Sequence, residues 1–387
     1  MGSHNMEQDH AWLTALRRDI HQHPELAFRE TRTAEIVARE LTRMGIPFRT
    51  GIGGTGVVGT LSAGTSGHSI ALRADMDALP MQEDSGVPHQ SVYPGAFHGC
   101  GHDGHTAMLL GAAEQLSRTR AFDGTVHFIF QPAEEGEGGA VAMLNDGLLR
   151  DFPAEQIFGL HNWPGMPLGH FATRPGPMMA AFAKFDIRID GKGGHAALPH
   201  ESTDQILAAS ALVQALQSIV SRTLNPIDPA VVSVTQFHAG SAYNVLPGSA
   251  ALAGCTRYFS DAAGETIAAR LRAIAAETAA TFDATAEVCV DQVYTALVND
   301  AAAARLCADV AASLVGSAQV DADCAPIMAS EDFAFMLRER PGCYILMGTG
   351  DGDHGCMVHN PAYDFNDAAL PIGVSYWVRL VETRLAG

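Results

Sequence analysis

The chain has 387 residues, 47% of them hydrophobic and 17% charged, with a formal net charge of −19 at pH 7. That length predicts two domains with a sizeable core, and the acidic balance argues against nucleic acid or an anionic membrane as partner. No apolar run of about 18 residues marks a transmembrane helix, and no signal peptide is visible.

The opening Met-Gly-Ser-His-Asn reads as a tag remnant over residues 1–5, with Met6 as the natural start. The seven cysteines have no regular spacing and no CxxC pair. An odd, irregular set fits a reducing compartment, the cytoplasm, better than a disulfide framework.

Apolar positions at helical spacing predict helices over 7–21 and 31–44, separated by Pro24. GIGGTGVVGTL, residues 51–61, reads as a glycine-rich turn feeding a strand. It lacks the GKS/T of a phosphate loop. Strand-like runs follow, each with a polar end. SIALRA precedes Asp75 and Asp77, TVHFIF precedes Glu134 and Glu135, QIFGL leads into His161, and CYILMG precedes the stretch leading to His359. TAMLLGAAEQL reads as a helix between them. Near-continuous apolar strands alternating with helices predict an α/β sheet buried on both faces. Ligands collect beyond the carboxyl ends of such strands.

The middle of the chain differs. FAKFDIRID alternates with period two, 204–223 reads as a helix, AVVSVTQF and AALAGCTRYF read as strands, a helix runs over 263–281, and TAEVCVDQV closes the set. The order β-α-β-β-α-β matches the ferredoxin-like pattern. We expect an inserted α+β domain at 183–296, with 6–182 and 297–387 forming an α/β/α sandwich around a mostly parallel sheet.

Carboxylate, imidazole and thiolate side chains hold divalent metals. Asp75, Asp77, Cys100, His102, Glu134, Glu135, His161 and His359 recur just past strand ends, which points to one assembled site. Alone, Cys100 reads as a small buried hydrophobe and His102 as a core histidine; side by side in GCGHDGHT they read as ligands. In an extended loop, Cys100 and His102 would point the same way and Glu134 and Glu135 opposite ways, one acid to ligate and one to handle protons. Asp77 reads as a partner that orients a ligating histidine. Asp75 is open between that role and an ion pair with Arg73. His105 reads as structural.

Together RADMDALP, GCGHDGHTAMLLGAA, QPAEEGEGGA, GLHNWP, GKGGHAALPH, YNVLPGSAALAGCTR, SEDFAFM and VHNPAYDFND resemble, in order, the blocks of the aminoacylase/carboxypeptidase amidohydrolases. This metallopeptidase family includes hippurate hydrolase, bacterial N-acyl-amino-acid deacylases and plant auxin-conjugate hydrolases. The resemblance covers essentially the whole chain and implies two divalent ions per subunit on Cys100, His102, Glu135, His161 and His359; by ligand type, thiolate and imidazole favour zinc, while the carboxylates tolerate manganese, nickel or cobalt. It implies Glu134 as the general base and Asp77 as the metal-supporting aspartate. The broader family has His where Asp75 stands, and this departure points to the N-acyl-amino-acid subgroup.

The resemblance also makes the inserted domain a lid and homodimer surface, with His195 at a substrate oxyanion and Asn244 and Arg257 at the substrate carboxylate. Without it, His195 reads as a turn residue and Arg257 as a strand surface charge. Met178, Met179, Phe182 and Met328 are candidate pocket residues. The expected reaction is hydrolysis of N-acyl or N-aroyl amino acids. The alternatives are a dipeptidase or aminopeptidase on the same scaffold, a cysteine hydrolase using Cys100, and a degenerate binding protein.

Overall fold

The computed structural model describes residues 3–350 and 356–387, with side chains from His10 onward. Residues 1–5, which the sequence suggests are a tag remnant, therefore fall partly outside the described residues. The chain divides into two compact units, one of Met1–Gly176, Val298–Ala325 and Asp332–Gly387, the other of Pro177–Leu297 and Pro326–Glu331.

The larger unit is built on an eight-stranded sheet. Its strand order is Phe48–Ile52, Gly56–Ala63, Gly124–Gln131, Ser69–Asp75, Gln156–Trp163, Gly342–Gly348, Phe171–Ala172 and Val320–Asp321. The four central strands, from Gly124–Gln131 to Gly342–Gly348, run parallel. They coincide with the apolar runs in the sequence, and Ser69–Asp75 is buried from Ile70 to its end. Parallel strands covered on both faces need this near-continuous apolar character. Phe48–Ile52 and Gly56–Ala63 form an antiparallel pair around the glycine-rich turn.

The helix expected over 106–116 is longer than its apolar pattern suggests and runs from His102 to Thr119. Gly101, at φ 94, occupies its N-cap position in place of a Ser, Thr, Asp or Asn. Two helices that apolar periodicity did not mark, Ala301–Val315 and Leu370–Arg384, pack into the same core. Among the described residues, no helix is long and apolar enough to cross a membrane.

The smaller unit holds a four-stranded antiparallel sheet. Its spatial order is Ala230–Ala239, Ser249–Tyr258, Ala181–Asp190, Thr285–Tyr294. In chain order, the first strand lies between the third and the fourth, the arrangement expected of a ferredoxin-like β-α-β-β-α-β unit. Period-two burial in Ala181–Asp190 puts Phe185, Ile187 and Ile189 in the core with the helix Asp261–Thr281. The helix predicted over 204–223 is instead an α-helix from Gln205 to Leu216 followed by a wider turn over Ile219–Thr223.

Candidate metal centre

Register puts Asp75 beside Gln131, so the segments carrying Asp77 and the two glutamates leave the sheet together. His161 lies in the next strand, paired with Leu346. The donor atoms fall into overlapping groups, each with its atoms within 4.8 Å of one another: Cys100, His102 and His161; Cys100, Glu135 and His359; His102, Glu134 and Glu135. All six side chains thus belong to one connected cluster at the carboxyl end of the parallel strands.

Cys100 and His102 converge, but not through an extended loop. Gly101 between them is left-handed, and His102 is the first residue of its helix. A Cβ at Gly101 would lie 2.5 Å from Asn162 Oδ1, so glycine is required there. His102 Nδ1 sits 2.9 Å from the Asp77 carbonyl oxygen and 3.2 Å from Asp77 Oδ1. Its Nε2 is buried without a hydrogen-bond partner. His161 turns Nδ1 toward the carbonyl of Asn162, at 2.6 Å, and Nε2 toward Cys100 Sγ, at 3.4 Å. Both histidines therefore use one nitrogen for orientation and present the other to the cluster. His359 is half exposed and lies at φ 64, with its N–H donated to the carbonyl of Gly99 at 2.7 Å.

Glu134 and Glu135 do not face opposite ways. Ala133 is left-handed, at φ 53, and the chain turns at once, so both acids offer an oxygen to the group containing His102. The backbone N–H of Glu135 donates to Asp77 Oδ2 at 3.0 Å. Glu134 Oε1 accepts from the N–H of Asp332 at 3.3 Å. Glu135 Oε1 lies 3.2 Å from His359 Nε2 yet makes no hydrogen bond.

Asp75 is engaged by protein on both oxygens, with Arg73 at 2.6 Å and His105 at 2.6 Å. His105 completes its contacts at Asn162, so neither of its nitrogens is left over. Arg73 also reaches Gln131 and Asp332, whose other oxygen accepts from the N–H of Ala140. Sequence reasoning gave Asp332 and Asn162 no role. Their signal was adjacency to Glu331 in the SEDFAFM block and to His161.

Burial opposes the charge on Asp75, yet His102, Arg73 and His105 hold its carboxyl well below the usual range. Burial also opposes charge on His102, but Asp75, Asp77 and Glu135 push it up to about 10. Burial and the nearby acids Glu135, Glu134 and Asp75 push the Cys100 thiol well up. Asp75, Asp77, Glu134 and Glu135 thus bring four acids to His102, a setting that favours a bound cation. Two buried polar atoms without hydrogen-bond partners, His102 Nε2 and Glu135 Oε1, sit beside a thiol and further imidazoles. That donor set fits divalent ions of the zinc type, with the carboxylates also suiting manganese.

In the smaller unit, His195 and Asn244 are exposed on adjacent short segments, joined by the Ala196 N–H to the Asn244 carbonyl at 3.1 Å. His195 Nδ1 accepts from the N–H of Ala197, so the proton of the neutral ring sits on Nε2. Arg257 is half-buried, stacked 4.1 Å over the Phe182 ring and bonded to the Ser330 hydroxyl. Met178 and Met179 are buried, while Phe182 and Met328 are partly exposed.

Residues 71–383 match the profile of peptidase family M20/M25/M40. The chain is 39% identical to the hippurate hydrolase of Campylobacter jejuni over 94% of each chain. It is 40% identical to the N-acetyl-L-cysteine deacetylase of Bacillus subtilis, over 96% of this chain and 88% of that one. A solved structure from Bacillus subtilis, described as a dinuclear metal binding peptidase from the M20 family, superposes with a TM-score of 0.86 at 34% identity, covering 98% of this chain and 99% of that one.

Proposed function

This chain belongs to peptidase family M20/M25/M40 and is an amidohydrolase, and from that premise we propose that it hydrolyses the amide bond of N-acyl or N-aroyl amino acids with two divalent ions. Cys100, His102, Glu135, His161 and His359 would hold the ions. The observation that carries this reading is the convergence of those donors with Glu134 in one cluster. The names of the similar hydrolase and deacetylase support the substrate class, and the dinuclear neighbour supports the ion count.

The ions would supply Lewis acidity toward the amide carbonyl and acidify a water. Glu134 takes a proton from the attacking water and returns it to the leaving nitrogen, so that water and amide become a carboxylic acid and a free amino acid. Asp77 fixes His102 by its carbonyl and carboxylate and fixes Glu135 by its backbone. Arg257 and Asn244 are assigned to the substrate carboxylate, because a guanidinium fork matches a carboxylate bidentately. His195, with its N–H at Nε2, is assigned to the oxyanion. The inserted domain, read as residues 183–296, is assigned as lid and homodimer surface. Seven free cysteines fit a cytoplasmic enzyme.

The test is hydrolysis of N-benzoylglycine, N-acetyl amino acids, an indole-acetyl amino acid and dipeptides, before and after chelation and after restoring zinc, manganese, nickel or cobalt. Chelator-sensitive release of amino acid from acyl amides supports the reading. Turnover of dipeptides alone would replace it with a dipeptidase on the same scaffold.

A further inference from the structure

Among the described residues, five non-glycine residues have left-handed backbone: Phe28, Arg120, Ala133, Asp283 and His359. Such residues resist this conformation unless their surroundings impose it, and they cluster at functional sites. Two of the five are held by one side-chain atom. Glu30 Oε1 accepts the N–H of Phe28 at 3.0 Å and the N–H of Ala133 at 2.9 Å. Its other oxygen accepts the hydroxyl of Thr55, the threonine of the glycine-rich turn. Glu30 is fully buried, as is Ala133.

Ala133 immediately precedes Glu134. Its carbonyl is occupied too, accepting the Gly139 N–H at 2.9 Å. A Cβ at Gly139 would meet the Pro132 oxygen at 1.7 Å, so the loop is tight on that side. The backbone of Glu135 is anchored at Asp77, and Glu134 follows directly on Ala133, with its Oε1 accepting the N–H of Asp332.

We propose that Glu30, buttressed by Thr55, is a positioning residue that holds Ala133 left-handed and so aims the Glu134 carboxylate at the reacting water. This inference rests on the reading of Glu134 as general base. It gives the turn over residues 51–56 a task beyond joining two strands.

The experiment compares Glu30→Ala, Glu30→Gln, Thr55→Val, the double variant Glu30→Ala with Ala133→Gly, and Glu134→Gln as reference. Each is measured for kcat and KM on N-benzoylglycine or an N-acetyl amino acid, whichever the wild-type protein cleaves faster, and for bound metal and melting temperature. Glu30→Ala lowers kcat about 10- to 100-fold, the scale of an ångström-size misplacement of a reacting group, with KM and bound metal close to wild type. Ala133→Gly restores much of that loss, because glycine adopts the left-handed conformation without a Cβ penalty. Glu30→Gln and Thr55→Val fall between.

A folded, metal-loaded Glu30→Ala with wild-type kcat overturns the inference, as does a kcat that falls only in step with bound metal, or no recovery in the double variant. Should Glu30→Ala fail to fold, wild-type kcat in both Glu30→Gln and Thr55→Val overturns it. Undiminished turnover in Glu134→Gln would instead remove the base reading itself, a separate result.

Discussion

His102 Nδ1 lies 2.9 Å from the main-chain oxygen of Asp77 and 3.2 Å from its carboxylate, and the same carboxylate accepts the N–H of Glu135. One aspartate thereby orients two proposed ligands from different segments. Such outer partners fix the tautomer and the ring of a ligating histidine.

Asp77→Ala is expected to weaken metal binding about 10- to 100-fold, the range seen when such partners are removed. Chelator competition on the folded variant measures it. Unchanged affinity would show that His102 and Glu135 are set by their own segments.

Glu134→Gln keeps the shape of the side chain and removes its basicity. Turnover should fall by about 10²- to 10⁴-fold, the usual weight of a general base, with metal content intact. Kinetics with elemental analysis of the same sample decide it.

Gly101→Ala places a Cβ 2.5 Å from Asn162 Oδ1 and 2.7 Å from the Tyr363 hydroxyl, at a residue with φ 94. Cys100 and His102 flank it, so the variant should lose metal binding even where it folds. Metal content against circular dichroism separates the two effects.

Away from the cluster, His21 is buried between Asp103 at 2.8 Å and Glu83 at 3.2 Å. Burial opposes its charge, but Asp103 and then Glu83 outweigh this and push it up to about 9. The folded value lies above the unfolded one, near 6.5. Its contribution is therefore complete below about pH 6.5 and lost as pH rises toward 9, on the order of a few kcal/mol. Denaturant midpoints should decline over that window in the wild-type protein and stay flatter in His21→Gln. An equal decline in both would assign the slope to other groups.

The central strands were legible because a parallel strand buried on both faces must be apolar almost throughout, as residues 70–74 and 126–130 largely are. The α+β unit was legible from the period-two pattern of Phe185, Ile187 and Ile189. The start of the helix at His102 was not, because Gly101 gives no side-chain cap signal. The helix Ala301–Val315 did carry signals, the Asp300 cap and Gly316 beyond its end, but its alanine-rich face hides the apolar period. The proposed metal residues stood out through their chemistry and local motifs. Their supports did not: Arg73 reaches Asp332, and Glu30 reaches Ala133, across separations that no local pattern encodes.

The most direct measurement is the number of ions bound per chain when the chelator-stripped protein is titrated with zinc or manganese, followed alongside hydrolysis of N-benzoylglycine and an N-acetyl amino acid. The account predicts two ions per chain, no hydrolysis in the stripped protein, and activity that returns as the ions bind. Acyl-amide hydrolysis undiminished in the stripped protein, or a stoichiometry below two at full activity, would contradict it.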